Sequence, residues 1–285
     1  MASIKQIRGR LRSIQSTKQI MRAMQLVSAS KLKRAQGRLV QARSVLGFLD
    51  GLLERVLAST SGLDHPLCAV REDLPSTLVV FTSDAGLCGS YNANLIQLAE
   101  SFLRRDSARK TEIIYIGKKG YRYFTKRGYP AAASYLDLAG RPNPATAEQI
   151  GRALLERFMS KRAGSVQLLY SQFVSAMTYK PTILQWLPIT LARSASWPQR
   201  DEYIFEPTPQ RVFEDLLPRW ALAKFQLSML ETFTSEHSAR MIAMKNATDN
   251  AEELLKSLTL LRNRVRQAAI TKEISEIVGT AEALK

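Results

Sequence analysis

The chain has 285 residues, and its 41 lysines and arginines outweigh 25 aspartates and glutamates, which gives a formal net charge of +16. Such an excess indicates an acidic partner, namely nucleic acid, acidic lipid or an acidic protein surface. No run of about eighteen apolar residues occurs, so the sequence predicts no membrane-spanning helix. The basic N-terminus lacks the apolar core of a signal peptide. The two cysteines predict a reducing compartment without a disulfide framework.

A single heptad register runs through residues 3–57 and predicts one long helix. The register comprises Ile4, Ile7, Leu11, Ile14, Lys18, Met21, Gln25, Ser28, Leu32, Ala35, Leu39, Ala42, Leu46, Leu49, Leu53 and Val56. Its polar members are Lys18, Gln25 and Ser28, and polar side chains in a seam cost stability but fix the register. Because an isolated helix of this length frays in water, the pattern also predicts a partner helix.

The positive charge of the chain is concentrated on this first helix. Its basic residues are Lys5, Arg8, Arg10, Arg12, Lys18, Arg22, Lys31, Lys33, Arg34, Arg38, Arg43 and Arg55. The acidic residues of the same stretch are Asp50 and Glu54. A solvated helix face usually mixes both signs, so the imbalance favours a surface that meets an acidic partner.

Residues 64–209 differ in composition, because proline and glycine reappear and short apolar runs alternate with amphipathic segments. The predicted core strands are 77–81, 112–116 and 166–170, with more peripheral strands at 182–191 and 203–205. The predicted helices are 92–105, 121–126 and 145–161. Strands that alternate with helices predict a small Rossmann-like α/β domain with a mainly parallel sheet.

The turn "SDAGLCGSYN", which contains Gly86 and Gly89, is the one candidate for chemistry in this middle region. Its spacing matches neither the dinucleotide-binding fingerprint nor a phosphate-binding loop, so we interpret it as a structural turn. Cys88 between the two glycines is expected to be a packed thiol rather than a nucleophile. His65 and His237 have no ligand-like companions and are expected to be solvated or capping residues rather than metal ligands.

The stretch from Arg219 to Lys285 predicts a second long helix, because no proline or glycine occurs between Arg219 and Val278. Its predicted seam comprises Met244, Ala247, Ala251, Leu254, Leu258, Leu261, Val265 and Ala268. The phase then slips, and the next apolar series is Ile270, Ile274, Ile277, Ala281 and Leu284. The last part of the helix is therefore expected to bury a different face against a different partner.

Both long helices leave the same middle region, one backwards and one forwards along the chain, so they are expected to pair antiparallel. The second helix is the longer and should extend beyond the first by about twenty residues, or roughly 30 Å. The predicted overhang coincides with the phase slip after Ala268.

Three segments resemble the gamma subunit of F-type ATP synthases. They are "IKQIRGRLRSIQSTKQIMRAMQLVSASKLKRAQ" near the start, and "SEHSARMIAMKNATDNA" and "RNRVRQAAITKEISEIVG" near the end. The turn "SDAGLCGSYN" is similar to that family's middle-domain turn, although Gly89-Ser90-Tyr91 stands where the family more often has two glycines. The resemblance covers the full length. It implies a coiled-coil helix at 1–60, an α/β domain at 61–208 and a second coiled-coil helix at 209–285.

The resemblance implies a noncatalytic subunit that forms the central rotor shaft of an ATP synthase. Such a shaft couples ion-driven rotation of a membrane ring to the cycling of the catalytic subunits, or runs in reverse during hydrolysis. The implied partners are the catalytic and noncatalytic subunits of the head, the epsilon subunit and the membrane rotor ring, with no nucleic acid, cofactor or small-molecule substrate. Cys68 and Cys88 do not match the redox insert of plastid members. The resemblance therefore implies a bacterial enzyme, peripheral on the cytoplasmic face of the cell membrane.

The same resemblance suggests roles for individual residues. Arg22 and Met24 match the position that faces the acidic lever of the catalytic subunit, and Arg266 and Gln267 match the pair that meets its catch loop. The apolar tip would turn within the apolar sleeve of the head, and its members are Ile270, Ile274, Ile277 and Leu284. The foot is expected to include residues 203–206. The sequence does not determine whether the coupling ion is a proton or sodium, or whether synthesis or hydrolysis is favoured in the cell.

Two other classes of function are compatible with the residues taken by themselves. A basic coiled coil could bind nucleic acid as a structural protein, in which case affinity would fall steeply with salt. An α/β enzyme with helical arms is the other alternative. The apolar tip speaks against the first class, and the lack of a recognisable site speaks against the second.

Overall fold

The computed structural model describes residues 4–59, 63–105, 111–138, 140, 143–190 and 204–283, with backbone alone in 281–283. The helices are α1 (Ile4–Ser59), α2 (Tyr91–Arg105), α3 (Lys118–Thr125), α4 (Pro144–Met159) and α5 (Pro209–Ala283), with a short 3₁₀ helix at Pro66–Cys68. The strands are β1 (Ser76–Phe81), β2 (Thr111–Ile116), β3 (Ala131–Tyr135), β4 (Ser165–Phe173) and β5 (Tyr179–Leu187).

The chain divides into two compact units, and both contain parts of the two long helices. One unit comprises residues 29–240, and the other comprises residues 1–28 together with 241–285. The sequence instead suggested a division at the ends of the helices, with the α/β domain at 61–208 as a unit of its own.

The α/β domain is built on a five-stranded sheet in the order β3-β2-β1-β4-β5. The first four strands are parallel, and β5 runs antiparallel to β4. The predicted α/β fold with a mainly parallel sheet is therefore confirmed. All of β1 is buried, because it lies in the middle of the sheet and is covered on both faces.

Two apolar cores cover the two faces of the sheet. On one face Val79 and Phe81 pack with Phe158 of α4 and with Phe225 of α5. The core of the other face joins residues of β1 and β2 to residues of α2 and α3 and includes Leu78, Val80, Tyr91, Tyr115 and Phe124. Since α5 contributes Phe225 to the first core, the second long helix is part of the domain's own packing.

Within the unit 29–240, side-chain contacts show that α1 and α5 run antiparallel. Arg43 of α1 pairs with Glu231 of α5 at 2.6 Å. Further along α1, Asp50 Oδ1 accepts a hydrogen bond from Trp220 Nε1 at 2.6 Å. Because the partner number falls as the α1 number rises, the predicted antiparallel pairing is confirmed.

The predicted heptad register of α1 is confirmed at every position, since each of its members from Ile4 to Val56 is buried or partly buried. Apolar side chains on the opposite side are exposed, as Val40 and Phe48 show with 67% and 65% of their surface accessible, whereas Met24, Leu52 and Leu57 beside the register are partly buried. The register therefore identifies the centre of the buried face of this helix.

The register predicted for α5 was wrong at three of its eight positions, because Leu254, Leu261 and Ala268 are exposed. Leu254 and Leu261 are 52% and 44% exposed, whereas Thr248 is buried and Leu255 is partly buried. The observed seam therefore continues from Met244 to Thr248, four residues on, where the prediction placed Ala247, three residues on. Leucines occur in adjacent pairs at 254–255 and 260–261, so periodicity could not decide which member of each pair faces the seam.

Helix α5 also begins earlier than Arg219 and contains Pro218 in its interior. A proline removes one helical hydrogen bond and usually kinks or ends a helix. Here Phe213, Leu217 and Ala221 flank the proline and are fully buried. Packing of this apolar face holds the first turns in place, since tertiary contacts dominate the stability of helices in proteins.

Two strand assignments differ from the prediction. Strand β3 was missed, because Ala131-Ala132-Ala133-Ser134 lacks the β-branched and aromatic residues typical of strands. The predicted strand at 203–205 is wrong for Ile204 and Phe205, which are not in a strand, while Tyr203 lies outside the described residues.

The Arg43–Glu231 pair provides a test of the pairing between α1 and α5. Glu231 is 4% exposed, and its burial raises the pKa of the carboxyl while Arg43 opposes that shift. Arg43→Met should lower the free energy of unfolding by about 1–3 kcal/mol, because a buried carboxylate loses its partner. The measurement is urea unfolding of the full chain, followed by the fluorescence of buried Trp186.

Arg43→Met/Glu231→Gln should recover at least half of that loss, since no buried charge then lacks a partner. The matched control is Lys33→Met at an exposed position of the same helix, which should change stability by less than about 0.5 kcal/mol. Equal stability of Arg43→Met and the control would contradict the inference that this pair secures the seam.

Candidate functional site

The first pair of predicted interface residues lies on α1 in the unit formed by residues 1–28 and 241–285. Arg22 is exposed, and Met24 is partly buried. Both lie one to two turns beyond Lys18, whose Nζ pairs with Glu252 of α5 at 3.0 Å. Arg22 is therefore free to meet another protein, whereas Met24 lies at the border between the seam and the surface.

The second predicted pair, Arg266 and Gln267 on α5, is exposed. From Lys18 back to Ile4 is fourteen residues, and from Glu252 forward to Arg266 is also fourteen. Arg266 therefore lies level with the first described turn of α1. The two predicted pairs are not brought together, because the helical rise separates them by about 27 Å along the axis.

Beyond this level the described residues of the chain leave α5 uncovered. Residues 271–280 are all exposed, and Ile270, Ile274 and Ile277 are 48%, 56% and 68% exposed. The predicted apolar stripe is thus present on the overhanging part of the helix, and the seam ends near the start of α1, as predicted. Leu284 lies outside the described residues. An exposed apolar stripe of this kind marks a surface that meets another protein.

The turn at residues 83–92 is held closed by its own side chains. Ser83 N donates to Asn92 Oδ1 at 3.0 Å, and Asn92 Nδ2 donates to Cys88 Sγ at 3.1 Å. Cys88 is 2% exposed, and burial raises the pKa of its thiol. A high thiol pKa disfavours the reactive thiolate, so the thiol is packed, as predicted, and not set up as a nucleophile.

Helix α5 packs across the carboxyl ends of the strands, next to this turn. Arg240 Nε donates to Gly86 O at 3.2 Å, and its guanidinium pairs with Glu236 at 2.7 Å. His237 Nε2 bonds Gly140 O at 2.8 Å. The carboxyl ends of parallel strands are where an α/β sheet usually takes its ligand.

The expectation for the two histidines holds for one of them. His65 caps the 3₁₀ helix by accepting a hydrogen bond from Leu67 N at 3.0 Å. His237 is only 2% exposed and caps no helix, so the prediction of a solvated or capping residue was wrong for it. His237 lies in the polar run Thr234–Ser238, all of which is buried, and no motif in the sequence marks that burial.

The described part of the chain offers little else for ligand chemistry. It holds no group of three or more metal-ligating side chains, and none of its helices is apolar and long enough to cross a membrane. A cavity of about 220 Å³ lies between α4 and the strands β2 and β3 and is lined in part by Ile114, Ala133, Leu154 and Arg157. Its lining also includes Ser160 and Glu156, but Ser160 Oγ donates to the main-chain oxygen of Arg157 at 3.2 Å rather than to a base.

Comparison with known proteins places the whole chain in one family. The family model described as ATP synthase matches residues 3–284. The ATP synthase gamma chain of Symbiobacterium thermophilum is 42% identical over 283 residues, which covers 99% of this chain and 98% of that one. The chain belongs to the ATP synthase gamma chain family. The gamma chain of Pelotomaculum thermopropionicum is 41% identical and covers 100% of both chains.

Solved structures of distant relatives share the gamma chain fold. A chain from the mitochondrial ATP synthase of Euglena gracilis, in its OSCP/F1/c-ring assembly, matches with a TM-score of 0.70 at 20% identity, covering 99% of this chain and 94% of that one. A chain from the central stalk and c-ring of the Tetrahymena thermophila enzyme matches with a TM-score of 0.60 at 24% identity, covering 80% and 99%.

The burial of His237 predicts a pH dependence of stability. Burial lowers the pKa of His237 to about 4, from an ordinary value of 6.5. A lowered folded-state pKa contributes stability that is present above pH 6.5 and is lost as pH falls through 4, because the unfolded chain takes up the proton first. Between pH 7 and pH 4 this residue should remove about 3 kcal/mol from the free energy of unfolding.

The check is urea unfolding of the wild-type full chain and of His237→Gln at both pH values. The other titrating groups contribute nearly equally to both proteins, so the difference between the two pH slopes isolates His237. The variant should show the shallower loss of stability. Parallel slopes would show that His237 is accessible to protons in the folded chain.

Proposed function

We propose that this chain is the noncatalytic central rotor shaft of an F-type ATP synthase. Rotation of a membrane ring would turn the shaft, and the shaft would cycle the catalytic subunits through ATP synthesis, or the reverse during hydrolysis. The observation that carries the proposal is an antiparallel pair of very long helices whose apolar stripe at 270–277 is exposed among the described residues. Membership of the gamma chain family supports it.

The proposed partners follow from the assemblies in which structural relatives occur. Those relatives come from complexes described as F1/c-ring and as central stalk with c-ring. We therefore infer that this chain meets the head subunits and a membrane ring, together with an epsilon subunit at the foot. The complex would lie at the cytoplasmic face of a bacterial membrane and transport protons or sodium ions.

The exposure of Arg22, Arg266 and Gln267 supports their proposed roles in a rotating contact. Arg22 and Met24 would face the acidic lever of a catalytic subunit, and Arg266 with Gln267 would meet its catch loop about 27 Å further along the shaft. The tip side chains Ile270, Ile274 and Ile277 would lie in an apolar sleeve. Exposed charges and apolar side chains at these levels support such contacts, since neither has a partner role in the described seam.

Purification of the tagged chain from its own cells tests the proposed function. A hexameric ATPase should be purified with the full-length chain, and a tip variant Ile270→Asp/Ile274→Asp should lose much of that complex, because charge is costly in an apolar sleeve. The matched control is Ile20→Asp on the exposed side of α1, where Ile20 is 60% accessible. Recovery of nucleic acid alone, or of no ATPase, would contradict the rotor proposal.

Variants of the proposed contact residues should differ in how much ATP-driven ion pumping they lose. Arg22→Ala should lower ATP-driven ion pumping by less than about fivefold, because an exposed ion pair contributes about 0–1 kcal/mol. Arg266→Ala should have an intermediate effect, since a docked charge pair is partly desolvated. Met24→Lys should do most harm, because a new cation facing an acidic lever would hold a rotor too tightly.

The measurements are ATP hydrolysis and ion pumping by reconstituted complexes. Met24→Leu is the matched control, because it keeps the apolar character and approximate volume of methionine without a charge, and it should pump normally. Abolished pumping in Arg22→Ala together with normal pumping in Met24→Lys would overturn the view that the shaft acts through its shape and stiffness.

A further inference from the structure

One segment of α5 differs from the rest of the helix because it is buried on every side. Residues 231–240 are all buried, which covers about three turns and hence the whole circumference of the helix. By contrast, the overhanging residues 271–280 are all exposed. We call residues 231–240 the anchor segment.

The anchor segment is polar, although a helix buried all round is usually apolar. Its buried polar members are Glu231, Thr232, Thr234, Ser235, Glu236, His237, Ser238 and Arg240. Earlier in the same helix, the fully buried positions Phe213, Leu217, Ala221 and Phe225 are apolar. The packing of α5 against the domain thus changes from apolar contact to hydrogen bonding within one helix.

Four of these side chains bond main-chain carbonyls of the α/β domain: Arg240, Ser238 and His237 bond loop carbonyls, and Ser235 bonds a carbonyl of strand β4. Thr232 and Thr234 instead bond carbonyls of α5 itself. Arg240 Nε donates to Gly86 O at 3.2 Å, and its NH2 group donates to Ala85 O at 3.4 Å. Ser235 Oγ donates to Ser171 O at 3.2 Å, and Ser238 Oγ donates to Ala176 O. In the opposite direction, Tyr91 Oη donates to Thr232 O at 3.1 Å.

These contacts lie where a doubly wound sheet takes a ligand. The strand order changes direction beside β1, which has β2 on one side and β4 on the other. The crevice beyond the carboxyl ends of such strands is the usual binding site of the fold. Ala85 and Gly86 follow β1, and Ala176 follows β4, so the anchor segment bonds to both sides of that position.

Directional bonds constrain a helix in a way that apolar contact does not. A hydrogen bond weakens steeply once its angle is lost, so bonds to several loops determine both the rotation and the axial position of the helix. Breaking them would leave buried polar groups without partners, which is costly in a low-dielectric interior. An apolar sleeve would let the helix slip around its axis at less cost.

We infer that the anchor segment occupies the ligand crevice of the α/β domain and fastens the domain to α5, so that torque received by the domain enters the helix through these bonds. Ser235, His237, Ser238 and Arg240 are then positioning residues of the rotor. The inference rests on the proposed rotor function and adds the place where force passes from domain to helix.

The test uses the reconstituted complex with the variant Glu236→Gln/Arg240→Met, which removes the guanidinium bonds without leaving a buried charge unpaired. ATP hydrolysis should persist, while the number of ions pumped per ATP should fall by about fivefold, as expected for the loss of several buried hydrogen bonds. Hydrolysis and pumping that stay coupled as in wild type would overturn the inference.

A milder variant covers the case in which the double variant does not fold. Ser238→Ala removes the single bond to Ala176, and it should lower the ratio of pumping to hydrolysis measurably. Its matched control is Thr248→Val, because Thr248 is also buried but bonds Met244 O of its own helix. An equal ratio in Ser238→Ala and in the control would contradict the inference.

Rescue distinguishes fastening from a general loss of structure. A disulfide between Ala176→Cys and Ser238→Cys, added to the Glu236→Gln/Arg240→Met variant, should restore pumping when oxidised and lose it again on reduction. Failure of the oxidised form to recover would overturn the fastening role. A wild-type complex that neither assembles nor pumps would instead disprove the proposed rotor function itself.

Discussion

The seam between α1 and α5 is the contact on which the rest of the molecule depends. Helices of 56 and 75 residues gain little from intrinsic propensity, because helices this exposed fray unless one face is buried. The heptad register of α1 supplies that face, and the Lys18–Glu252 and Arg43–Glu231 pairs set which residues meet within each compact unit. The seam also fixes how far α5 extends beyond the start of α1, and therefore which residues of α5 form the overhang.

The α/β domain has the architecture of a ligand-binding sheet but uses its crevice for its own chain. The strand order and the parallel pairing place polar loops at the carboxyl ends of β1 and β4. Instead of a phosphate or a sugar, those loops meet Ser238 and Arg240 of α5. The absence of a phosphate-binding loop from the sequence is consistent with this arrangement, because carbonyl acceptors suit the donors of a serine and an arginine.

The charges of the chain have two different uses. Lys18 and Arg43 are taken up by internal pairs with glutamates of α5, so part of the basic excess of α1 stabilises the seam. Arg22 and Arg266 are exposed, and they remain available for acidic surfaces of other subunits. Net charge alone could not separate these uses, since the same residue types serve both.

The sequence by itself determined the helices and strands whose apolar residues recur with a clear period. It also determined the family. The register of α1, the core strands near Val79, Ile114 and Leu168 and the apolar stripe from Ile270 follow from spacing, because burial of one face imposes that spacing directly. Specific motifs at both ends of the chain carry the resemblance to the gamma chain family.

The tertiary structure decided the features for which the local sequence pattern allows more than one outcome. Adjacent leucines at 254–255 left the α5 register open, and only the partner helix selects Leu255 over Leu254. The alanine-rich β3 forms because β2 offers a free edge, a long-range contact that propensity does not encode. His237 was expected to be solvated or capping, yet loops distant in sequence enclose it, so its burial depends on contacts that only the folded chain assembles.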